Sequence, residues 1–206
     1  MRIVRESVPY IVVPIVLALA SFVFGFWYVG AFFLLIAFFM VFFFRDPKRV
    51  PPSDPAVVVA PADGRITLVR RLTSSETDSA TLISIFLSPF DVHINRSPIA
   101  GTITDVSYVP GKFLMATNEN ASLVNEQNIL TIEGEQVTVT CKQIAGILAR
   151  RVVCWKRKGD KLVKGERFGL IKFSSRTDVV LPARVVVTVA EGARVKGGTT
   201  VIGRIA

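Results

Sequence analysis

The sequence predicts a mainly β chain, a β-rich α+β fold in which a compact β domain follows an N-terminal hydrophobic helical hairpin. Three observations carry the prediction. Two long apolar runs without a charged side chain occupy the first 45 residues. Beyond residue 50 the chain breaks into short runs rich in β-branched and aromatic residues, with partial alternation and weak helical periodicity. A P-x-x-G-x-I-T pattern also recurs. Pro61-Ala62-Asp63-Gly64-Arg65-Ile66-Thr67 is echoed 37 residues later by Pro98-Ile99-Ala100-Gly101-Thr102-Ile103-Thr104, and Pro182-Ala183-Arg184-Val185-Val186-Val187-Thr188 is a degenerate third copy.

The apolar runs are Val8–Phe24 and Phe26–Phe44, 17 and 19 residues long. At about 1.5 Å of rise per residue each nearly crosses a hydrocarbon core of roughly 30 Å. Gly25 and Gly30 offer a break, and Trp27-Tyr28 an interfacial anchor. Basic residues flank both outer ends: Arg2 and Arg5 before, Arg45, Lys48 and Arg49 after. The positive-inside rule then puts both ends in the cytoplasm. The expectation is a membrane-anchoring region over 1–45, on a chain located at the cell membrane with its following domain on the cytoplasmic face. A single tilted span and a buried helix pair are the other readings of these residues. A cleaved signal peptide fits poorly, because the apolar region is too long and "FFFRDPKRVPP" lacks a small-residue cleavage site.

Residues 46–56 form a proline-rich linker that ends the apolar region. The domain expected over 57–206 then reads as strands: "TLISIFLS", "QVTVTCKQIA", "RFGLIKF" and "DVVLPARVVVTVA". The C-terminal "EGARVKGGTTVIGRI" carries a G-x-x-V-x-x-G turn, which is similar to those of barrel-sandwich folds such as biotinyl and lipoyl carriers. A barrel-sandwich-like β domain follows, without naming a function. A carrier would need a lysine at a hairpin tip, in a Met-Lys-Met or Asp-Lys-Ala setting, and neither tripeptide occurs.

The net charge is +9 and the mean hydropathy +0.48. No stripe of interleaved basic and aromatic residues marks the β region, so nucleic acid is not the expected partner. An anionic lipid surface is. Cys141 and Cys154 are the only cysteines and form no CxxC, which predicts buried free thiols in a reducing compartment.

Three places carry candidate chemistry. His93, the only histidine, lies in "LSPFDVHINRSP" directly after an apolar run. If Val92 and Ile94 point inward, Asp91, His93 and Asn95 share the opposite face by the period of two. Asp63 also follows an apolar run, in "VVVAPADGRI"; an Asp-Gly turn is its bland alternative. The pair Ser174-Ser175 separates two apolar strands where a hairpin would use Gly, Asn or Pro. In chain order Asp, His and Ser compose a set able to form a nucleophilic triad, although no G-x-S-x-G elbow is present.

The segment "FGLIKFSSRTDV" closely resembles the autocleavage segment of phosphatidylserine decarboxylases of the short bacterial and archaeal form. "SPFDVHINRSPIAG" and "APADGRI" resemble two further signatures of that family, and "NENASLVNEQN" is similar to its Asn-Glu loop. The resemblance runs in order over nearly the whole chain from Arg45. It implies an enzyme, a carboxy-lyase of phospholipid biosynthesis, that converts phosphatidylserine to phosphatidylethanolamine and CO2. It also implies a zymogen. Ser175 Oγ attacks the carbonyl of Ser174, with His93 as general base and Asp63 orienting it. Cleavage leaves a larger chain, 1–174, associated with a small chain, 175–206, that begins with a covalent pyruvoyl group made from Ser175. That pyruvate-derived ketone forms the Schiff base with substrate, so neither PLP nor a metal is expected, and His93 returns as proton donor.

Two departures from the family pattern matter. Most relatives have glycine where this chain has Ser174, which brings a second hydroxyl to the bond and leaves cleavage after Phe173 open. Longer relatives carry H-x-x-H where this chain reads His93-Ile94-Asn95-Arg96, so either His93 serves both steps or Asp91 and Arg96 take one over. The sequence leaves a homodimer open. A membrane-tethered, non-enzymatic adaptor or carrier-like domain is the alternative, though it leaves "FDVHINR" and "SSRTD" unexplained; a membrane-surface serine peptidase is the third reading.

Overall fold

The computed structural model of the chain describes residues 2–73, 79–115, 121–147, 151–173 and 175–206. They divide into two units, Met1–Lys48 and Arg49–Ala206, with the division inside the proline-rich stretch.

The first unit is a helical hairpin with its ends tied. Strand β1 (Arg2–Ile3) pairs antiparallel with β2 (Arg45–Asp46), and α1 (Val8–Val23) and α2 (Trp27–Phe43) lie between them, packed together. The reversal has a local cause. Gly25 adopts φ +80°, the Gly25 N–H donates to Phe22 O at 3.1 Å, and the Phe26 N–H donates to Ser21 O at 2.8 Å. This crossed pair satisfies the last carbonyls of α1 and turns the chain at a residue without Cβ strain. The buried positions of the helices include Pro14, Ala18, Gly30 and Ala37, small residues that let apolar helices approach. The helical run Arg5–Val23, 19 residues, is long and apolar enough to cross a membrane; α2 is apolar and shorter.

The second unit is mainly β and all its paired strands run antiparallel. Strand β3 (Val57–Val59) buries all three valines. The long pair β4 (Gly64–Thr73) and β5 (Ser79–Leu87) follows, then the short β6 (Ile94–Arg96) and β7 (Gly101–Val109). After the one-turn α3 (Ala121–Val124) come β8 (Gln127–Glu133), β9 (Thr138–Ala145), β10 (Val152–Cys154), β11 (Lys161–Leu162) and β12 (Arg167–Ile171). The chain ends with β13 (Ser175–Pro182), β14 (Val185–Val187), β15 (Arg194–Val195) and β16 (Val201–Ile205). Eight strands form a sheet in the order β11-β7-β8-β9-β13-β5-β4-β15, curled into half a barrel. Two three-stranded sheets, β10-β12-β6 and β14-β16-β3, complete the unit.

The core is built by alternation. Ile83, Ile85 and Leu87 of β5, Val139 and Cys141 of β9, and Val179 and Leu181 of β13 are fully buried in one cluster with Val58, Ile66, Leu130, Phe168 and Ile202. Each fully buried side chain of this size contributes about 1.5–3 kcal/mol. The repeated P-x-x-G also has a steric reason. A Cβ at Gly64, where φ is +150°, would lie 2.1 Å from Phe86 O, and one at Gly101 would lie 2.3 Å from Glu133 O. In both copies the strand begins with its backbone pressed against a neighbouring carbonyl, where only glycine fits. The third copy has Val185 instead, at the start of an ordinary strand.

The segment between "FGLIKF" and "RTDVVLP" lacks hairpin residues because it is not a hairpin. Strand β12 belongs to the small sheet and β13 to the large one. The chain passes from one sheet to the other between Ile171 and Ser175.

Candidate active site

Ser175 is the first residue of β13, the strand paired on both sides near the middle of the large sheet. It stands opposite Leu87 of β5 and Ala145 of β9. By the period of two, Ser175 and Thr177 share the inner face with Val179 and Leu181. Ser175 is fully buried, and its Oγ has no hydrogen-bond partner among the described residues. A buried hydroxyl left so costs about 1–3 kcal/mol. Just upstream, Phe173 holds φ +54°, the one positive value among described non-glycine residues. A bulky residue in that region stores about 1–3 kcal/mol of strain, a pattern that clusters at functional sites. Ser174, between them, lies outside the described residues.

His93 is 2 % exposed and immediately precedes β6. Its Nδ1 lies 3.0 Å from the backbone carbonyl of Asp91. A carbonyl only accepts, so Nδ1 carries the hydrogen, and Nε2 of the neutral ring is then the basic nitrogen. The Asp91 side chain has another task. Its Oδ2 accepts from the Ser88 N–H at 2.9 Å while the Asp91 N–H donates to Ser88 O at 2.9 Å, which closes the turn leading into His93. Its Oδ1 is 3.6 Å from the exposed Arg194 guanidinium. Arg96 donates from its backbone N–H to Pro61 O at 2.9 Å and from Nη1 to Gly165 O at 3.1 Å. The first of these bonds docks the Asp63 loop on β6.

Asp63 is held on both carboxylate oxygens. Oδ2 accepts from Arg49 Nη2 at 2.7 Å and Oδ1 from the Gly197 N–H at 2.8 Å. Burial pushes its carboxyl above the ordinary range, against the lowering effects of Arg49 and Gly197; Asp91 adds to the rise and Arg96 opposes it. The loop of Asp63 and the turn of His93 therefore share one neighbourhood. Arg49, read in the sequence only as a flank of the apolar region, is Asp63's ion-pair partner.

A buried row of polar side chains joins these elements. Asn128 Nδ2 donates to Gln143 Oε1 at 3.1 Å, Gln143 Nε2 to Asn95 Oδ1 at 2.8 Å, and Asn95 Nδ2 to Thr177 Oγ1 at 2.9 Å. All four residues are buried. Gly169 makes room for the row: a Cβ there would lie 2.7 Å from Gln143 Nε2 and 2.3 Å from Val153 O. The row crosses from β8 and β9 through β6 to β13. Two residues before Asn95 and Thr177 stand His93, just outside β6, and Ser175, on the Thr177 face of β13. The Ile171 N–H donates to His93 O at 3.2 Å, so the His93 end of β6 meets β12 where the chain departs toward Ser175. The structure thus brings His93, Asn95 and the Ser175 strand together, with Asp63 docked alongside on Arg49. Sequence reading missed Gln143 and Asn128. Their one available signal was a polar residue at an inward position of an alternating strand. Cys141 is fully buried, with its thiol pushed up to about 12 by that burial, and Cys154 is half-buried and also raised by burial.

Residues 36–203 match the sequence profile of the family described as "Phosphatidylserine decarboxylase". The chain is 47 % identical over 208 residues to the "Phosphatidylserine decarboxylase proenzyme" of Symbiobacterium thermophilum, covering 98 % of this chain and 95 % of the relative. The proteins of the same name from Solibacter usitatus and Geotalea uraniireducens are 49 % identical over 171 residues and 43 % over 208, covering 83 % and 98 % of this chain and 81 % and 95 % of theirs. With the profile spanning most of its length and relatives matched almost end to end, this chain belongs to the phosphatidylserine decarboxylase family.

Proposed function

We propose that the chain is a self-processing decarboxylase that converts phosphatidylserine to phosphatidylethanolamine and CO2, using a pyruvoyl group made from its own Ser175. One observation carries the processing step: a buried serine hydroxyl without a partner, two residues after a strained Phe173 and on the strand face that Asn95 ties to the His93 strand. His93 Nε2 takes the hydroxyl proton, and Ser175 Oγ attacks the carbonyl carbon of Ser174. The C–N bond breaks as the amine takes up a proton, leaving an ester. Loss of the Cα proton of residue 175 expels the Ser174 carboxylate, and the unsaturated residue hydrolyses with release of ammonia. The products are 1–174 and 175–206, which stay associated because β13 is hydrogen-bonded along both edges.

When formed, the pyruvoyl group supplies the electron sink that a departing carboxylate requires. The residues present suit it. Ser175 is out of solvent, and His93 keeps Nδ1–H on the Asp91 carbonyl, so Nε2 can hold a proton and deliver it. Asp63 supports that neighbourhood electrostatically while paired with Arg49. The bound Asp91 carboxylate and the Gly165-directed Arg96 leave His93 the better candidate for both steps. Neither PLP nor a metal enters this scheme. The N-terminal apolar helices and their basic flanks support attachment to an anionic membrane, with the β unit on the cytoplasmic side. A homodimer is compatible with it.

Mass spectrometry of the purified protein tests the proposal. The expected result is two chains meeting at 174/175, with the small one lighter by one ammonia than simple hydrolysis gives and blocked to Edman sequencing. Ser175→Ala should yield one uncut chain that releases no CO2 from phosphatidylserine. Decarboxylation by that variant would refute the assignment.

A further inference from the structure

At the Ser175 end of the large sheet, the two neighbouring strands leave at the same level and carry apolar residues into solvent. Beyond Leu87, β5 enters the Ser88–Asp91 turn, which presents Phe90 at 69 % exposure. Beyond Ala145, the last residue of β9, the chain runs through Gly146 to Ile147 at 55 %. A third segment is clamped to the same place by the buried Asn125. Its Nδ2 donates to Ala145 O at 2.7 Å and to Leu114 O at 2.9 Å, and its Oδ1 accepts from the Leu114 N–H at 2.9 Å. The Ala145 N–H in turn donates to Glu126 O at 2.9 Å. The clamped chain shows Met115 at 60 % and Leu123 at 77 % exposure, with Phe113 beside them in sequence.

Single exposed apolar residues need no explanation, but these converge from three segments on one strand end. Over 109–115, 121–125 and 145–147 the only charged residue is Lys112. Arg151 is exposed four residues beyond Ile147, and the exposed Arg194 of β15 lies 3.6 Å from Asp91 in the Phe90 turn. Apolar side chains with cationic neighbours match the boundary between acyl chains and anionic headgroups. We propose that this rim, Phe90, Phe113, Met115, Leu123 and Ile147, seats in the surface of an anionic phospholipid bilayer. It brings the headgroup of a lipid to Ser175 while the acyl chains stay in the membrane. The inference rests on the decarboxylase reading, which requires a substrate whose tails leave the bilayer at prohibitive cost. It adds a second contact with lipid, distinct from the N-terminal helices.

The test uses the full-length processed protein with two substrates: phosphatidylserine in phosphatidylcholine vesicles, and a dibutyryl phosphatidylserine kept monomeric. Leu123→Glu with Ile147→Glu should self-cleave completely and turn over the monomeric lipid within about twofold of wild type. Its kcat/KM on vesicles should fall on the order of tenfold or more. Equal effects on the two substrates, or none on vesicles, overturn the proposal. So does a change in oligomeric state with vesicle turnover intact, which would make the rim an interface between copies. A second measurement does not depend on activity. Leu123→Cys labelled with NBD, in a Cys154→Ser background, should be quenched by doxyl-labelled lipid in proteoliposomes; absence of quenching overturns the docking. If wild type turns over neither substrate while quenching persists, the decarboxylase reading fails and the membrane contact stands.

Discussion

Replacing Gln143 with leucine tests whether the buried polar row is a working part of the site. The change removes the donor to Asn95 Oδ1 and the acceptor of Asn128 Nδ2, in a place with no exposure to water. Each orphaned group costs about 1–3 kcal/mol, so the pair costs about 2–6. The lower end of that range is expected because Asn95 keeps its bond to Thr177 Oγ1. A loss of about 2–3 kcal/mol is large against a total of about 5–15, and lowers the melting temperature by roughly 4–12 °C for a chain of this size. The measurement belongs in the uncut Ser175→Ala background, where stability is separated from processing. Adding Asn95→Leu removes one of the orphans. The cost of Gln143→Leu should therefore shrink by about 1–3 kcal/mol in that background. In the Ser175 chain, Gln143→Leu should slow self-cleavage on the order of tenfold or more, through misplacement of the β6 residues. Additivity of the two substitutions within about 0.5 kcal/mol would refute the reasoning, because independent sites behave so.

Two further outcomes follow from the same geometry. Phe173→Gly relieves the φ of +54°; with about 1 kcal/mol less strain in the uncut chain, self-cleavage should slow about fivefold in a timed gel assay, and faster cleavage would contradict a role for strain. Asp63 has a folded-state pKa raised above 3.8, with burial the largest cause. Its contribution to stability is therefore fully present below 3.8 and lost as pH rises through the raised value. Thermal melts across that window should show this fall in the uncut chain, and Asp63→Asn should flatten it; an unchanged slope would deny the carboxyl its buried, perturbed state.

The family's motifs were legible because each is local. The Asp63-Gly64 corner, the turn before His93 and the Ser174-Ser175 junction are short runs readable from their own residue types, with a steric reason at Gly64 and a proposed chemical one at Ser175. The apolar hairpin was legible too, since two uncharged runs of 17 and 19 residues meet at Gly25. The partners of these groups were not. Asp63 takes Gly197 across 134 residues and Arg49 across 14, and Asn95 reaches Thr177 across 82. The alternation of "VTVTCKQIA" puts Gln143 in phase with the buried Val139 and Cys141, but it does not say which side chains Gln143 meets there.

By itself the sequence determined the fold class, the family and the candidate nucleophile, because strand periodicity, glycine sterics and serine chemistry are written within a few residues. Only the tertiary structure decided that β12 and β13 lie in different sheets, which side chains hold Asp63, and that Gln143 joins Asn95 to Asn128. Those depend on which strands meet, and strand pairing is settled by burying a shared core, not by any one segment's preference.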